Sequence, residues 1–161
     1  MRMKTIGVTA AAVAATSLAG GAASGREVDS QWYVRLRKPS YQPPRQAFPI
    51  VWPLLYGDIA LVAADTIDRL ADGSHDDTAR RFCAALALNL GLNASWSWVF
   101  FNRHRLGLAA LTAGVLTASS VDLTRRAVAV RQRRAAPLAA YPAWCAFATV
   151  LSTHIWWINR H

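Results

Sequence analysis

Five apolar blocks, none containing lysine or arginine, set the limits on what this chain can fold into: residues 5–24, 47–64, 82–101, 106–123 and 135–158. Each lies near the roughly 17–25 residues with which a helix crosses a bilayer. The connectors 26–46, 65–81, 102–105 and 124–134 hold nearly all of the charge. A helix bathed in water would carry charge along its outer face at every turn, and these blocks do not. The pattern predicts an all-α membrane protein, a five-transmembrane-helix bundle formed by residues 1–161 as one domain, with 26–46 as a capping loop.

Composition agrees once the blocks are taken separately. Hydrophobic residues make up 53% and charged residues 17%, against about 25% charged in an ordinary soluble domain. A mean hydropathy of +0.17 averages greasy blocks with short basic connectors. The net charge of +9 suggests nucleic acid, but its arginines flank apolar blocks and leave no soluble basic domain. Headgroup contact is the simpler use for such rims. If all five blocks span, ten Lys and Arg fall on one side and eight on the other, so charge sets no orientation. The first block, with a basic start and small residues at its end, also fits a cleaved signal peptide. Its alanines and glycines suit a closely packed helix equally well. Cys83 and Cys145 lack metal-site or CxxC spacing and are expected to be small packing residues.

Several polar and aromatic groups recur at helical spacing. Asn89 and Asn93 share a face that Trp96 and Phe100 continue. Two amides and two rings on one stripe could line a ligand pocket or bond neighbouring helices together. Ala148, Ser152 and Trp156 recur every four residues, as do Trp52 and Tyr56. Small residues would leave room within the bundle, and Trp156 would close it; Trp157 fits an interfacial aromatic belt. Asp58 and His154 are ionisable groups inside apolar blocks, and such groups carry a functional hypothesis by default. Asp58 could couple protons or sit protonated and hydrogen-bonded. His154 has no second histidine placed for a bis-histidine haem site.

Three segments, "WYVRLRKPSYQPPRQAFPIVWPLLYGD", "ALNLGLNASWSWVFFNRHRLGLA" and "YPAWCAFATVLSTHIWWIN", together resemble the tryptophan-rich sensory protein / translocator protein family, the peripheral-type benzodiazepine receptors. The likeness runs over about residues 31–159 and includes the proline-rich loop and three tryptophan-bearing spans. It implies a retained first helix and a five-helix bundle, usually dimeric, in membrane lipid. It also implies a cavity beside the first long loop that binds a porphyrin (protoporphyrin IX or haem) as ligand, with no tightly bound cofactor, metal or nucleic-acid partner. A multi-pass protein of the bacterial cell envelope is expected.

The chain departs from the family pattern at Tyr41, usually Trp, at Thr112, often acidic, and at Asp58, usually apolar. Thr153 stands where sterol-binding members have Tyr and some bacterial members have a Trp implicated in porphyrin photochemistry. The resulting expectation is a porphyrin or other tetrapyrrole site formed by Trp32, Pro43, Pro44, Trp52, Tyr56, Asn89, Asn93, Trp96, Phe100, Ala148, Ser152 and Trp156. Arg35, Arg37, Lys38 or Arg45 would meet the propionates. The protein would serve as a sensor, carrier or regulator of tetrapyrrole and stress responses. A light-dependent porphyrin-degrading enzyme and a proton-coupled small-molecule transporter are the alternatives.

Overall fold

A computed structural model describes residues 2–73 and 76–160. Six helices account for most of them: α1 (Met3–Ser24), a short α2 (Gln31–Arg35), α3 (Phe48–Asp72), α4 (Asp76–Ser97), α5 (Leu106–Ala135) and α6 (Ala140–Ile158). The five long helices form the bundle, and α2 belongs to the loop between α1 and α3. Three helical stretches, Met3–Asp29, Arg45–Asp72 and Leu106–Ile158, are long and apolar enough to cross a membrane, the last containing both α5 and α6. α4 opens on Asp76, Asp77, Arg80 and Arg81 and buries Asn89 and Asn93.

The helices run past the apolar blocks. α3 continues from Ala64 to Asp72, and α5 from Leu123 to Ala135. Hydropathy marks where hydrocarbon ends, whereas a helix ends where its backbone bonding does. Pairs at i, i+4 support both extensions, Asp65–Arg69 at 3.3 Å and Asp122–Arg126 at 2.6 Å. α5 is interrupted at Arg131, whose φ of −156° and ψ of 87° are not helical. At the other end of the bundle, α4 passes into a π-helical turn, Trp98–Asn102.

The two halves of the bundle pack differently. In the half away from the long loop, Val13, Ile59, Phe82, Leu86, Leu90, Leu123 and Leu138 form a solid core. Thr9 on α1 donates from Oγ1 to the Ala60 carbonyl of α3 at 3.0 Å. In the loop half, Phe100, Phe101, Leu151 and Ile155 cluster with Trp32, Tyr33 and Trp96, and the centre is hollow. Leu54, Leu61, Leu88, Leu111 and Val150 point outward, as the side chains of a bundle solvated by lipid would. Cys145 is buried, but Cys83 is exposed on the outside of α4. Cys83 is therefore not the packing residue that its apolar setting suggests.

Candidate functional site: an aromatic cavity under the long loop

A chain of buried hydrogen bonds crosses the middle of the bundle and floors the hollow. Tyr56 on α3 donates its hydroxyl to Asn93 Oδ1 at 2.8 Å, and Asn93 Nδ2 donates to the Tyr141 hydroxyl at 3.1 Å. Tyr141 donates in turn to Asn89 Oδ1 at 2.8 Å, and Asn89 Nδ2 reaches Ser119 Oγ at 3.2 Å. Four helices are stitched by one network whose members satisfy one another, the arrangement that a low-dielectric interior rewards. For Asn89 and Asn93, interhelical bonding is thus a large part of the answer.

Above this floor lies a cavity of about 530 Å³, within the roughly 300–1,000 Å³ of small-molecule sites. Trp52, Tyr56, Asn93, Trp96, Phe100, Ala148 and Ser152 line it, seven of the expected residues brought together. Trp52 lies 5.3 Å from Tyr56 and stands edge-on to Trp144 at 6.5 Å, while Trp96 stacks on Phe100 at 5.4 Å, centroid to centroid. Trp144 and Phe147 extend the aromatic wall along α6. The opposite wall is small: Ser17, Gly20, Gly21 and Ser24 of α1, with Gly25 just after it, leave the space that larger side chains would fill.

Exposure shows where the cavity meets the outside. Its lining residues on α4 and α6 are buried or half-buried, whereas Ser17 and Gly21 of α1, Gly25 just after it, and Pro49 and Pro53 of α3 are exposed. The open side is therefore the seam between α1 and the start of α3. Pro49 sits in the first turn of α3, where a missing N–H costs nothing. Across the loop end, Arg45 pairs with Asp29 at 2.8 Å, joining the turn that follows α1 to the turn that precedes α3.

The loop is fastened to α6. Asn159 accepts from the Arg37 N–H at 3.0 Å and donates to the Arg37 carbonyl at 2.9 Å. Tyr41 OH lies 2.9 Å from His154 Nδ1, and its ring packs edge-on to Phe147. His154 thus holds the loop from outside the cavity, and the hydroxyl that distinguishes Tyr41 from a tryptophan makes that contact. Lys38 folds back so that Nζ donates to the carbonyls of Tyr33 and Leu36 and lies 4.4 Å over the Tyr33 ring. Desolvation lowers its pKa from the ordinary lysine value.

Five expected site residues stand elsewhere. Asn89 lies in the floor one turn below Asn93, and Trp32 stands behind Phe100, stacked on His104 at 3.9 Å. Pro43 and Pro44 lie in the loop, but their neighbours Gln42 and Arg45 make the lining. Trp156, 38% exposed, packs on α5, its Nε1 3.1 Å from where a Cβ on Gly107 would sit. Each helical residue turns about 100°, so two steps of four drift about 80° off the face. Ala148, Leu151, Ser152 and Ile155, spaced three, four and seven apart, stay on it. Of the four bases considered for propionates, Arg45 alone is among the described lining residues.

Asp58, half-buried on α3, is not among the lining residues either. Asp58→Asn is expected to fold normally, because a protonated carboxyl and an amide bond alike. Its thermal midpoint in detergent should match the parent's, and loss of the fold would show an ionised, paired carboxylate.

The profile of the TspO/MBR family matches residues 8–158, nearly the whole chain. The chain belongs to the TspO/MBR family. Among its relatives, membrane protein YtaB of Bacillus subtilis is 31% identical over 151 residues, 92% of this chain and 94% of YtaB. Tryptophan-rich protein TspO of Bacillus cereus is 30% identical over 132 residues, 82% and 83% of the two chains. The translocator protein of Sus scrofa is 31% identical over 153 residues, 88% and 84%. Membership in the TspO/MBR family and the apolar spans make this a multi-pass membrane protein with bacterial relatives. Within the TspO/MBR frame, the sequence missed the α1 wall, Trp144 and Phe147. The Gly20–Gly21 pair was the available signal for the wall, and the α6 face at spacing 144, 148, 151, 155 the signal for the rings.

Proposed function

We propose that the cavity binds a porphyrin or related planar tetrapyrrole, and that the protein serves as a sensor, carrier or regulator of such ligands in the membrane. The observation that carries this reading is the wall of Trp52, Trp96, Phe100 and Trp144 around about 530 Å³, with Arg45 at the edge. Flat aromatic walls suit a flat macrocycle, each ring pair adding roughly 0.5–1.5 kcal/mol beyond area burial. A guanidinium suits a propionate. The described lining residues include no histidine, cysteine or methionine, and the hydroxyls of Tyr56 and Tyr33 are engaged by Asn93 and Gln42, so the donor set favours grip on the ring faces over ligation of a haem iron. The names of relatives, translocator protein and tryptophan-rich protein TspO, fit a ligand-handling role. A homodimer accords with the family resemblance. Asp58, on which proton-coupled transport would rely, lies outside the cavity, which leaves binding ahead of transport.

Protoporphyrin titrated into the purified protein in the dark should quench tryptophan fluorescence. Trp52→Leu and Trp96→Leu should each weaken binding several-fold with the fold intact, while Trp157→Leu, on a ring covered by Arg160 at 3.4 Å, should leave it unchanged. Equal losses from Trp157→Leu and Trp52→Leu, or no loss from either cavity variant, would sink the proposal. Arg45→Gln should weaken protoporphyrin by about two- to fivefold, in line with an exposed charge pair, and leave its dimethyl ester untouched. Loss of the porphyrin spectrum under illumination alone would instead favour the degrading enzyme.

A further inference from the structure

We infer that the corner between the end of α3 and the break in α5 is a binding site for the phosphate of an anionic phospholipid, received by Arg131 and Arg134. Asp65 stands there with a side chain only 15% exposed, Arg69 Nε 3.3 Å away, Arg134 Nη1 3.8 Å and Arg131 Nη1 4.0 Å away. Three guanidiniums thus share one carboxylate. The other described guanidinium–carboxylate ion pairs, Arg2–Asp72, Arg45–Asp29, Arg80–Asp77 and Arg126–Asp122, each join one guanidinium to one carboxylate.

Among the described residues only Arg69 hydrogen-bonds Asp65. Arg131 and Arg134 stand at ion-pair distance with no hydrogen bond among the described residues, so two forked sets of N–H donors face a single, already engaged anion. That leaves a local surplus of two positive charges. Phosphate oxygens match such forks in charge and geometry. The backbone break falls on Arg131 itself, so one of the two receiving residues is placed by a departure from the helix.

Depth selects the lipid. Asp65 directly follows the apolar block that ends at Ala64, which puts the cluster at the membrane edge. Ile67 of α3 lies two residues beyond Asp65, and Val128 and Val130 of α5 lie three and one before Arg131, all three partly buried against the core. A headgroup phosphate reaches this depth with its acyl chains already in hydrocarbon, and a basic pocket between spans on one rim is the kind of place that holds one. Free phosphate shares the chemistry but gains nothing from that apolar border.

The test is thermal unfolding of detergent-purified protein with added phosphatidylglycerol, phosphatidylcholine or inorganic phosphate. Phosphatidylglycerol should raise the midpoint by roughly 2–4 °C at saturation, and the other two should not. The double variant Arg131→Gln/Arg134→Gln should lose that rise. Arg125→Gln/Arg133→Gln, which removes as much charge from the same rim at arginines outside the described Asp65 contacts, should keep it. Native mass spectrometry should count one phosphatidylglycerol retained by the parent and none by the first variant, a readout that survives a change in stability. A rise that persists in Arg131→Gln/Arg134→Gln, or vanishes equally in Arg125→Gln/Arg133→Gln, reduces the corner to diffuse charge. An equal rise with inorganic phosphate overturns the lipid assignment.

Discussion

Tyr141→Phe should destabilise the protein by about 2–6 kcal/mol, from two buried partners each left short at roughly 1–3 kcal/mol. Tyr141 is fully buried, and its hydroxyl is where the two amides of α4 meet, accepting from Asn93 and donating to Asn89. The ring's volume survives the change, so no cavity contributes. The lower end of the range applies if the unfolded chain in detergent or lipid finds partners of its own. Chemical denaturation in a fixed detergent measures the effect. A loss below about 0.5 kcal/mol, the smallest net value of a typical hydrogen bond, would mean that Asn89 and Asn93 readily re-pair without the hydroxyl. Porphyrin affinity should fall as well, because Asn93 is also part of the cavity wall.

Gly20→Leu should abolish high-affinity porphyrin binding, a loss of at least tenfold, or about 1.4 kcal/mol. A Cβ at Gly20 would lie 3.2 Å from Ser97 Oγ, so even the first added atom meets α4. The remaining carbons must enter the cavity or push α1 outward, and either outcome changes the small wall. Gly21→Ala is the matched control, since a Cβ there meets nothing within 4 Å. The same fluorescence titration reads both variants. Unaltered affinity in Gly20→Leu would show that the ligand does not approach the α1 side of the cavity.

The sequence carried the fold in its most direct signal, the charge-free blocks, because hydrocarbon forbids unpaired backbone and so leaves helices as the answer. The site was legible where helical spacing was followed faithfully. Asn93, Trp96 and Phe100 lie three, four and seven residues apart and share the cavity face. Trp156 failed because a strict step of four drifts off that face. Asn89 has the right direction but lies one turn too deep, and depth along a helix cannot be read from periodicity. Gly20 and Gly21 were legible only as small residues. Smallness serves close packing and hollow space equally, and what decides between them is the neighbour across the gap. The fastening of Arg37 by Asn159, 122 residues apart, left no local trace.

The π-helical turn at Trp98–Asn102 places one residue more in a turn than an α-helix needs. That surplus makes this segment the part of α4 most tolerant of a change in length. Removing one residue would let the turn close as ordinary α-helix, with no break in backbone bonding. The facing of what lies beyond would change little, since a π turn already fits its extra residue into about one turn. His104, held at a φ of 52° and stacked on Trp32, would stay near its partner. A chain one residue shorter here would therefore keep both the bundle and the mounting of the loop's outer aromatic layer, so a change in length at this turn is absorbed within α4 rather than passed to the loop.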